Sequence, residues 1–189
     1  MTVATPITLL FVALLATPAL AGTVVQVGPF NRIALNGGGE VILKHGATQR
    51  VTLIKGSTAH TSFTVRNDGE LDIDACNVSC PHQYDLTIEI VTPNLRGAAI
   101  DGGGEIHTDG AFPAQPDFAA AINGGGEIDV RAIRAGKGEA SIQGGGKIML
   151  TASSALAASV SGGGEIVYRG NPEVTQSIQG GGEVDHENE

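Results

Sequence analysis

The stretch Ala121-Ile122-Asn123-Gly124-Gly125-Gly126-Glu127-Ile128 decides how this chain reads. It recurs five more times. Ala34-Leu35-Asn36-Gly37-Gly38-Gly39-Glu40-Val41 and Ala99-Ile100-Asp101-Gly102-Gly103-Gly104-Glu105-Ile106 precede it. Ser141-Ile142-Gln143-Gly144-Gly145-Gly146-Lys147-Ile148, Ser159-Val160-Ser161-Gly162-Gly163-Gly164-Glu165-Ile166 and Ser177-Ile178-Gln179-Gly180-Gly181-Gly182-Glu183-Val184 follow it. The triplets begin at residues 37, 102, 124, 144, 162 and 180, so the last four spacings are 22, 20, 18 and 18. A degenerate copy is visible in the long first gap, at Val65-Arg66-Asn67-Asp68-Gly69-Glu70-Leu71. A period near 20 residues is the mark of a repeat architecture, in which each unit leaves an apolar face for its neighbour to cover.

Within one unit, small-Ile-polar and Glu-Ile-x-Val each alternate with period two, so each reads as a short strand. The aliphatic residues flanking the glycines face inward, and the preceding polar residue and following Glu face outward. Three glycines make the corner, where close backbone approach and positive φ cost least. Parallel stacking at about 4.8 Å would bury the isoleucines of successive units against one another. A flexible Gly-rich linker would not set Ile, Val or Leu at the flanks of every triplet. The expected fold class is all-β: a parallel β-solenoid, or β-helix, with Gly-Gly-Gly corners. A strand- and hairpin-rich N-terminal cap would precede it, because Phe30–Leu35, Glu40–Lys44, Arg50–Ile54, Thr61–Arg66, Glu70–Asp74 and Asp85–Val91 all alternate without a clear unit length. The expected divisions are 1–21 as a signal peptide, 22–98 as the β-rich N-terminal part and 99–189 as the repeats.

Composition agrees and excludes several classes. Glycine accounts for 28 of 189 residues, and 18 of them are in the triplets. Collagen would need glycine at every third position throughout. An apolar share of 41% is too high for a disordered tail. Twenty acids against eleven bases, net −9, argue against a nucleic-acid groove. Ile7 to Ala16 is a ten-residue apolar run, too short to span a bilayer. Ala19-Leu20-Ala21 then offers a small-x-small cleavage site before Gly22. Met1 to Pro6 lacks the usual Lys or Arg. The expectation is an exported protein, cleaved near Ala21-Gly22, with no transmembrane segment in the mature chain and a periplasmic, cell-surface or secreted destination. Cys76 and Cys80, the only cysteines, read as a disulfide pinning a local turn in an oxidising compartment. The rival is a metal site using Cys76, Cys80 and His82, but zinc wants four ligands and only one hook is present.

The chain resembles the GIN-domain family, described as autotransporter adhesin head domains of bacteria. Phe30-Asn31-Arg32-Ile33 leading to the Gly37-Gly38-Gly39 corner carries the likeness, with Val91-Thr92-Pro93-Asn94-Leu95 in mid-chain. Tyr168-Arg169-Gly170-Asn171-Pro172 before the last triplet completes it. Many relatives carry Gly-Ala or Gly-Ser corners where this chain has Gly-Gly-Gly. The resemblance implies an exported β-helix, similar in architecture to pectin lyases without their catalytic set, and a role in cell adhesion.

Candidate chemistry is sparse. Glu40, Glu105, Glu127, Glu165 and Glu183 recur at one corner position, with Lys147 interrupting the series, and Glu70 is a candidate further member. Stacked, they would form a carboxylate ladder. Calcium takes several carboxylate and carbonyl oxygens, so Asp101 and Glu105, which flank one corner with acids on both sides, are the candidate metal ligands. A solvated polar face is the plainer explanation. Neither a nucleophile elbow nor a zinc-protease helix motif occurs, and the glycines fit no phosphate loop. Asp129 and Arg131 share strand parity and could be offered for a lyase-like site, with salt pairing on a solvated face as the plainer explanation. No catalytic or cofactor-binding residue is expected, and no cofactor. The function expected is a non-catalytic interaction module with an unknown surface or envelope ligand, protein or glycan. A polysaccharide-processing β-helix enzyme and a purely structural envelope protein are the alternatives.

Overall fold

In the computed structural model, which describes residues 22–77, 79–81 and 84–188, the alternating segments become fifteen β-strands. They are β1 (Thr23–Val25), β2 (Arg32–Gly37), β3 (Glu40–His45), β4 (Arg50–Lys55), β5 (Ser62–Val65), β6 (Glu70–Asp74) and β7 (Thr87–Thr92). Then come β8 (Gly97–Gly102), β9 (Glu105–Thr108), β10 (Gln115–Gly124), β11 (Glu127–Gly144), β12 (Lys147–Gly162), β13 (Glu165–Arg169), β14 (Glu173–Gly180) and β15 (Glu183–His186). The proposed signal segment, residues 1–21, lies outside the described residues.

The expected parallel β-solenoid with a separate N-terminal cap is not what forms. All fifteen strands belong to one sheet of mixed direction, curled into a nearly closed, barrel-like form. Its main path runs β1-β4-β7-β3-β9-β11-β10-β8-β2-β6-β5. Beyond it β12 pairs with β11, β13 and β14, and β15 pairs with β13. The pairs β1/β4, β4/β7 and β5/β6 are antiparallel. The N-terminal strands do not cap a stack but are woven into it. β3 lies between β7 and β9, and β2 between β6 and β8. The reason is physical: period-two alternation states which face of a strand is inward, but either edge can accept a parallel or an antiparallel neighbour. β7 uses both, pairing parallel to β3 and antiparallel to β4. The long strands differ as well, since β11 and β12 run 18 and 16 residues from one triplet to the next.

Register brings the triplets into line. Gly37, Gly102, Gly124, Gly144, Gly162 and Gly180 are successive partners along the sheet. Two apolar rows follow from that alignment. One runs Ile73, Leu35, Ile100, Ile122, Ile142, Val160, Ile178, and the other Ile88, Val41, Ile106, Ile128, Ile148, Ile166, Val184. Residues 35 to 166 of these rows are at most 2% exposed, whereas Ile178 on the last strand pair is 40% exposed. Fully burying one such side chain is worth about 1.5–3 kcal/mol, so these rows supply a large share of the core, beside Ile33, Leu43, Leu71, Ile90, Phe118 and Leu150.

The three glycines of a corner have different jobs. Gly124 has φ +130°, a conformation that strains any L side chain, and a Cβ there would also collide with the Gly102 carbonyl oxygen. Gly126 is buried, and a Cβ there would stand 2.6 Å from the Gly104 carbonyl oxygen and 2.8 Å from Ile100 Cγ2. A Cβ on Gly125 would meet nothing within 4 Å. The backbone then closes the corner onto its neighbour: the N–H of Gly125 donates to the Gly102 carbonyl at 2.9 Å, and that of Glu127 to Gly104 at 3.0 Å. We therefore expect Gly125→Ser to change the stability of the 22–189 chain by less than about 0.5 kcal/mol. Gly126→Ala should cost about 1–3 kcal/mol by overpacking and Gly124→Ala about 1–3 kcal/mol by backbone strain. Denaturant unfolding of the three variants checks this, and equal losses at all three would refute the division of labour.

Candidate functional site

The corner acids stand in one line across the outside of the sheet. Register pairs Thr87 with Glu40, Glu40 with Glu105, Glu105 with Glu127, Glu127 with Lys147, Lys147 with Glu165, and Glu165 with Glu183. Like charges on neighbouring strands repel, and three polar partners lie along the line. Thr87 Oγ1 donates to Glu40 Oε2 at 3.2 Å. His107 Nδ1 lies 3.3 Å from Glu105 Oε1, and its Nε2 lies 3.9 Å from Glu40 Oε1. Lys147 Nζ sits 2.9 Å from Glu165 Oε2, and this hydrogen bond, with the nearby charges of Glu165 and Glu127, raises the Lys147 pKa against the opposing effect of burial. Glu70 does not join the line: it pairs in register with Arg32 and bonds Arg66 at 3.1 Å.

Asp101 and Glu105 flank their corner, but each turns to a different neighbour. Asp101 Oδ1 accepts from Asn123 Nδ2 at 3.3 Å, while Glu105 faces His107. Among the described residues, the acids whose oxygens converge are Glu165, Glu183 and Asp185, within 4.8 Å of one another. Cys76 and Cys80 are joined through their sulfurs with Cα atoms 6.1 Å apart. His82, the third member of the rival metal set, lies outside the described residues.

A second charged line was not anticipated. The seventh residue after the first glycine of each triplet is, in order, Lys44, Asp109, Arg131, Thr151, Arg169 and Glu187. Lys44 Nζ bonds Asp109 at 3.2 Å and Glu89 at 3.1 Å. Arg131 holds Asp129 with both prongs of its fork, Nε at 2.9 Å and Nη2 at 2.6 Å, and gives Nη1 to Glu187 at 3.1 Å. Arg169 grips the same Glu187 bidentately, Nε and Nη2 each at 2.9 Å. Thr151 Oγ1 between them donates to the Arg131 carbonyl at 2.8 Å. Arg169 first, then Arg131, pull the Glu187 carboxyl down to about 2. Burial pushes Asp129 up, yet its hydrogen bonds from Arg131 outweigh that and hold it below the usual range. The sequence pair Asp129 and Arg131 is thus a real contact, inside a network that also takes in Arg169 and Glu187. Counting the offset from each triplet finds these residues, since a fixed offset in a repeat tends to one row in space, although a register shift in β11 sets Arg134 rather than Arg131 opposite Thr151.

These features define a class: an all-β protein that carries rows of repeated polar and charged side chains on the outer face of one continuous sheet. Residues 29–116 and 116–172 match the family described as "Putative auto-transporter adhesin, head GIN domain". The chain belongs to that family. No curated protein matches it. Among solved structures, a "putative adhesin" from Bacteroides fragilis NCTC 9343 has the same fold at 20% identity, TM-score 0.54, with 88% of this chain and 96% of that one aligned. A "putative lipid binding protein" from Parabacteroides distasonis ATCC 8503 aligns at 17% identity, TM-score 0.36, over 89% and 96% of the two chains. A "putative adhesin" from Parabacteroides merdae ATCC 43184 aligns at 13% identity, TM-score 0.42, over 89% and 96%.

Two outcomes follow from the rows. Lys147→Glu would complete an uninterrupted acid line and should lower stability by about 0.2–1 kcal/mol at low salt, a loss that shrinks as added salt shortens the screening length. Melting curves across a salt series read it. The Glu187 contact favours the ionised carboxyl, so it is whole above the ordinary value of 4.5 and is lost as pH falls through about 2. An NMR titration of the Glu187 side chain should show that low midpoint, and Arg169→Gln should move it upward.

Proposed function

We propose that this chain is an exported, non-catalytic interaction module that serves in cell adhesion. Membership of a family described by an adhesin head is the observation that carries the reading. The surface supports it. The corner acids form one row, exposed at Glu105, Glu127 and Glu183, half-buried at Glu40 and Glu165 and interrupted by Lys147; the sheet fixes its members relative to one another, and a row of that kind can meet an extended partner at several points at once. Asp129 and Arg131, the pair a lyase-like site would need, are engaged with each other and with Glu187 rather than poised at an open acid–base site. Export rests on the apolar run Ile7 to Ala16 followed by the Ala19-Leu20-Ala21 cleavage site before Gly22. Among the described residues no helix is long and apolar enough to cross a membrane. The division at residue 98 then separates a part of near-neutral charge from one with thirteen acids against five bases, and the second part carries most of the acid row.

Purified 22–189 protein immobilised on beads should retain cells or extracellular matrix. The triple change Glu105→Gln, Glu127→Gln, Glu183→Gln should reduce retention several-fold while leaving the melting curve intact. A strain lacking the protein should attach less than its parent. Undiminished attachment in both experiments would overturn the adhesive role. Release of unsaturated products from polyuronides would replace it with the enzyme alternative.

A further inference from the structure

Arg131, Arg134 and Arg169 meet at one cleft of about 420 Å³, lined also by Gly110, Ala111, Phe112, Ala132 and Thr151. That gathers three of the chain's eleven basic residues in a protein of net charge −9. Two of the three guanidinium groups hold a carboxylate that belongs to the chain itself. Glu187, which follows the last strand, β15, bonds both at 2.9–3.1 Å without itself lining the cleft, and Asp129 takes the fork of Arg131. Arg134 is exposed and makes no ion pair with a described residue. Fork-to-carboxylate pairing suits arginine to carboxylate recognition, and the cleft has one cation more than the chain's own acids, Asp129 and Glu187, use.

We propose that this cleft binds a carboxylate-bearing small ligand, of the size of one sugar acid or one dicarboxylic acid, and that Glu187 fills the carboxylate position in the free protein. The proposal rests on the reading of the chain as a binding module and names a ligand class for it. The occupant is a small acid rather than an extended acidic peptide. Three guanidinium groups around about 420 Å³ offer room and charge for one small acid, whereas an extended peptide would have to run beyond the cleft. The ligand's carboxylate takes the Arg169 fork and Arg131 Nη1 from Glu187, Arg131 keeping Asp129 on its own fork, and Arg134 meets a second acidic or hydroxyl group. Exchange disturbs little, because Glu187 is tied to the sheet by its own N–H to the Tyr168 carbonyl at 2.9 Å and its side chain need only swing away.

The test titrates galacturonate, malonate, neutral galactose and a hexaglutamate peptide into the 22–189 protein, read by NMR shifts of the arginine side chains. Both acids should bind and galactose should not. Glu187→Gln, which removes the internal competitor, should tighten acid binding about tenfold, and Arg134→Gln should weaken it about as much. Neither variant alters the acid row of the corners, so bead retention of cells separates failure of this site from failure of the adhesive role. Should Glu187→Gln unfold, Glu187→Asp, which keeps the charge but shortens the reach, serves in its place and should tighten binding to a smaller degree. Galacturonate binding well above malonate would assign a sugar acid, and equal binding a simple carboxylate. Absence of binding by either acid to wild type and variant, an affinity indifferent to residue 187, or a preference for hexaglutamate would each overturn the proposal.

Discussion

A β-carbon on Gly126 would collide with the carbonyl of Gly104 and with the Ile100 side chain beneath it. The same conflict recurs at Gly146 against Gly126 and Ile122, and at Gly164 against Gly146 and Ile142. The rest of the structure depends on that absent carbon. Without it, one corner's backbone drops onto the next, the N–H groups of residues 125 and 127 reach carbonyls at 2.9–3.0 Å, and the isoleucines on either side come into register. Every row described above, apolar or charged, inherits its alignment from this contact, because fixing the corners fixes the strand register on both sides of them.

The same alignment has an electrostatic cost. A residue type repeated in sequence becomes a row in space, so a repeated Glu becomes a line of repulsion. The chain answers with substitutions inside the row. Lys147 sits between two glutamates, and in the line seven residues past each triplet's first glycine Lys44 faces Asp109 while Arg131 and Arg169 share Glu187. Each exposed pair is worth little by itself. Their consequence is to set where charge is neutralised and where it is left over. The surplus is negative at the corners and positive at the Arg134 cleft.

Much of this was legible in the amino-acid order. The triplets and their aliphatic flanks gave the inward rows residue by residue, from Leu35 to Ile166, and the glutamate ladder from Glu40 to Glu183. What could not be read was neighbour choice. Nothing in Glu40–His45 or Arg50–Lys55 states that β7 inserts between those two strands, parallel to one and antiparallel to the other. That is why the parallel solenoid expected from the repeats gives way to a mixed, nearly closed sheet. At the candidate site, Asp129 and Arg131 were visible as a pair through their parity. Arg169 and Glu187 share one offset from triplets 18 residues apart, so the repeat makes them readable as neighbours, whereas the reach of Arg131 to Glu187 was not readable, because a register shift in β11 sets Arg134 opposite Thr151. Asp101 and Glu105 were singled out because acids flank one corner, yet the strand pairing hands each of them to a different neighbour.

The middle glycine of each corner is the one that no neighbour requires: a Cβ at Gly38, Gly103, Gly125, Gly145, Gly163 or Gly181 would meet nothing within 4 Å. Left bare, these six positions run along the edge of the sheet as a strip of main chain without side chains. Any molecule that lies along such a strip immobilises no rotamers on this side of the contact, where a long side chain would forfeit about 0.5–1.5 kcal/mol each. The row of corners is therefore a surface already in its final shape before anything touches it.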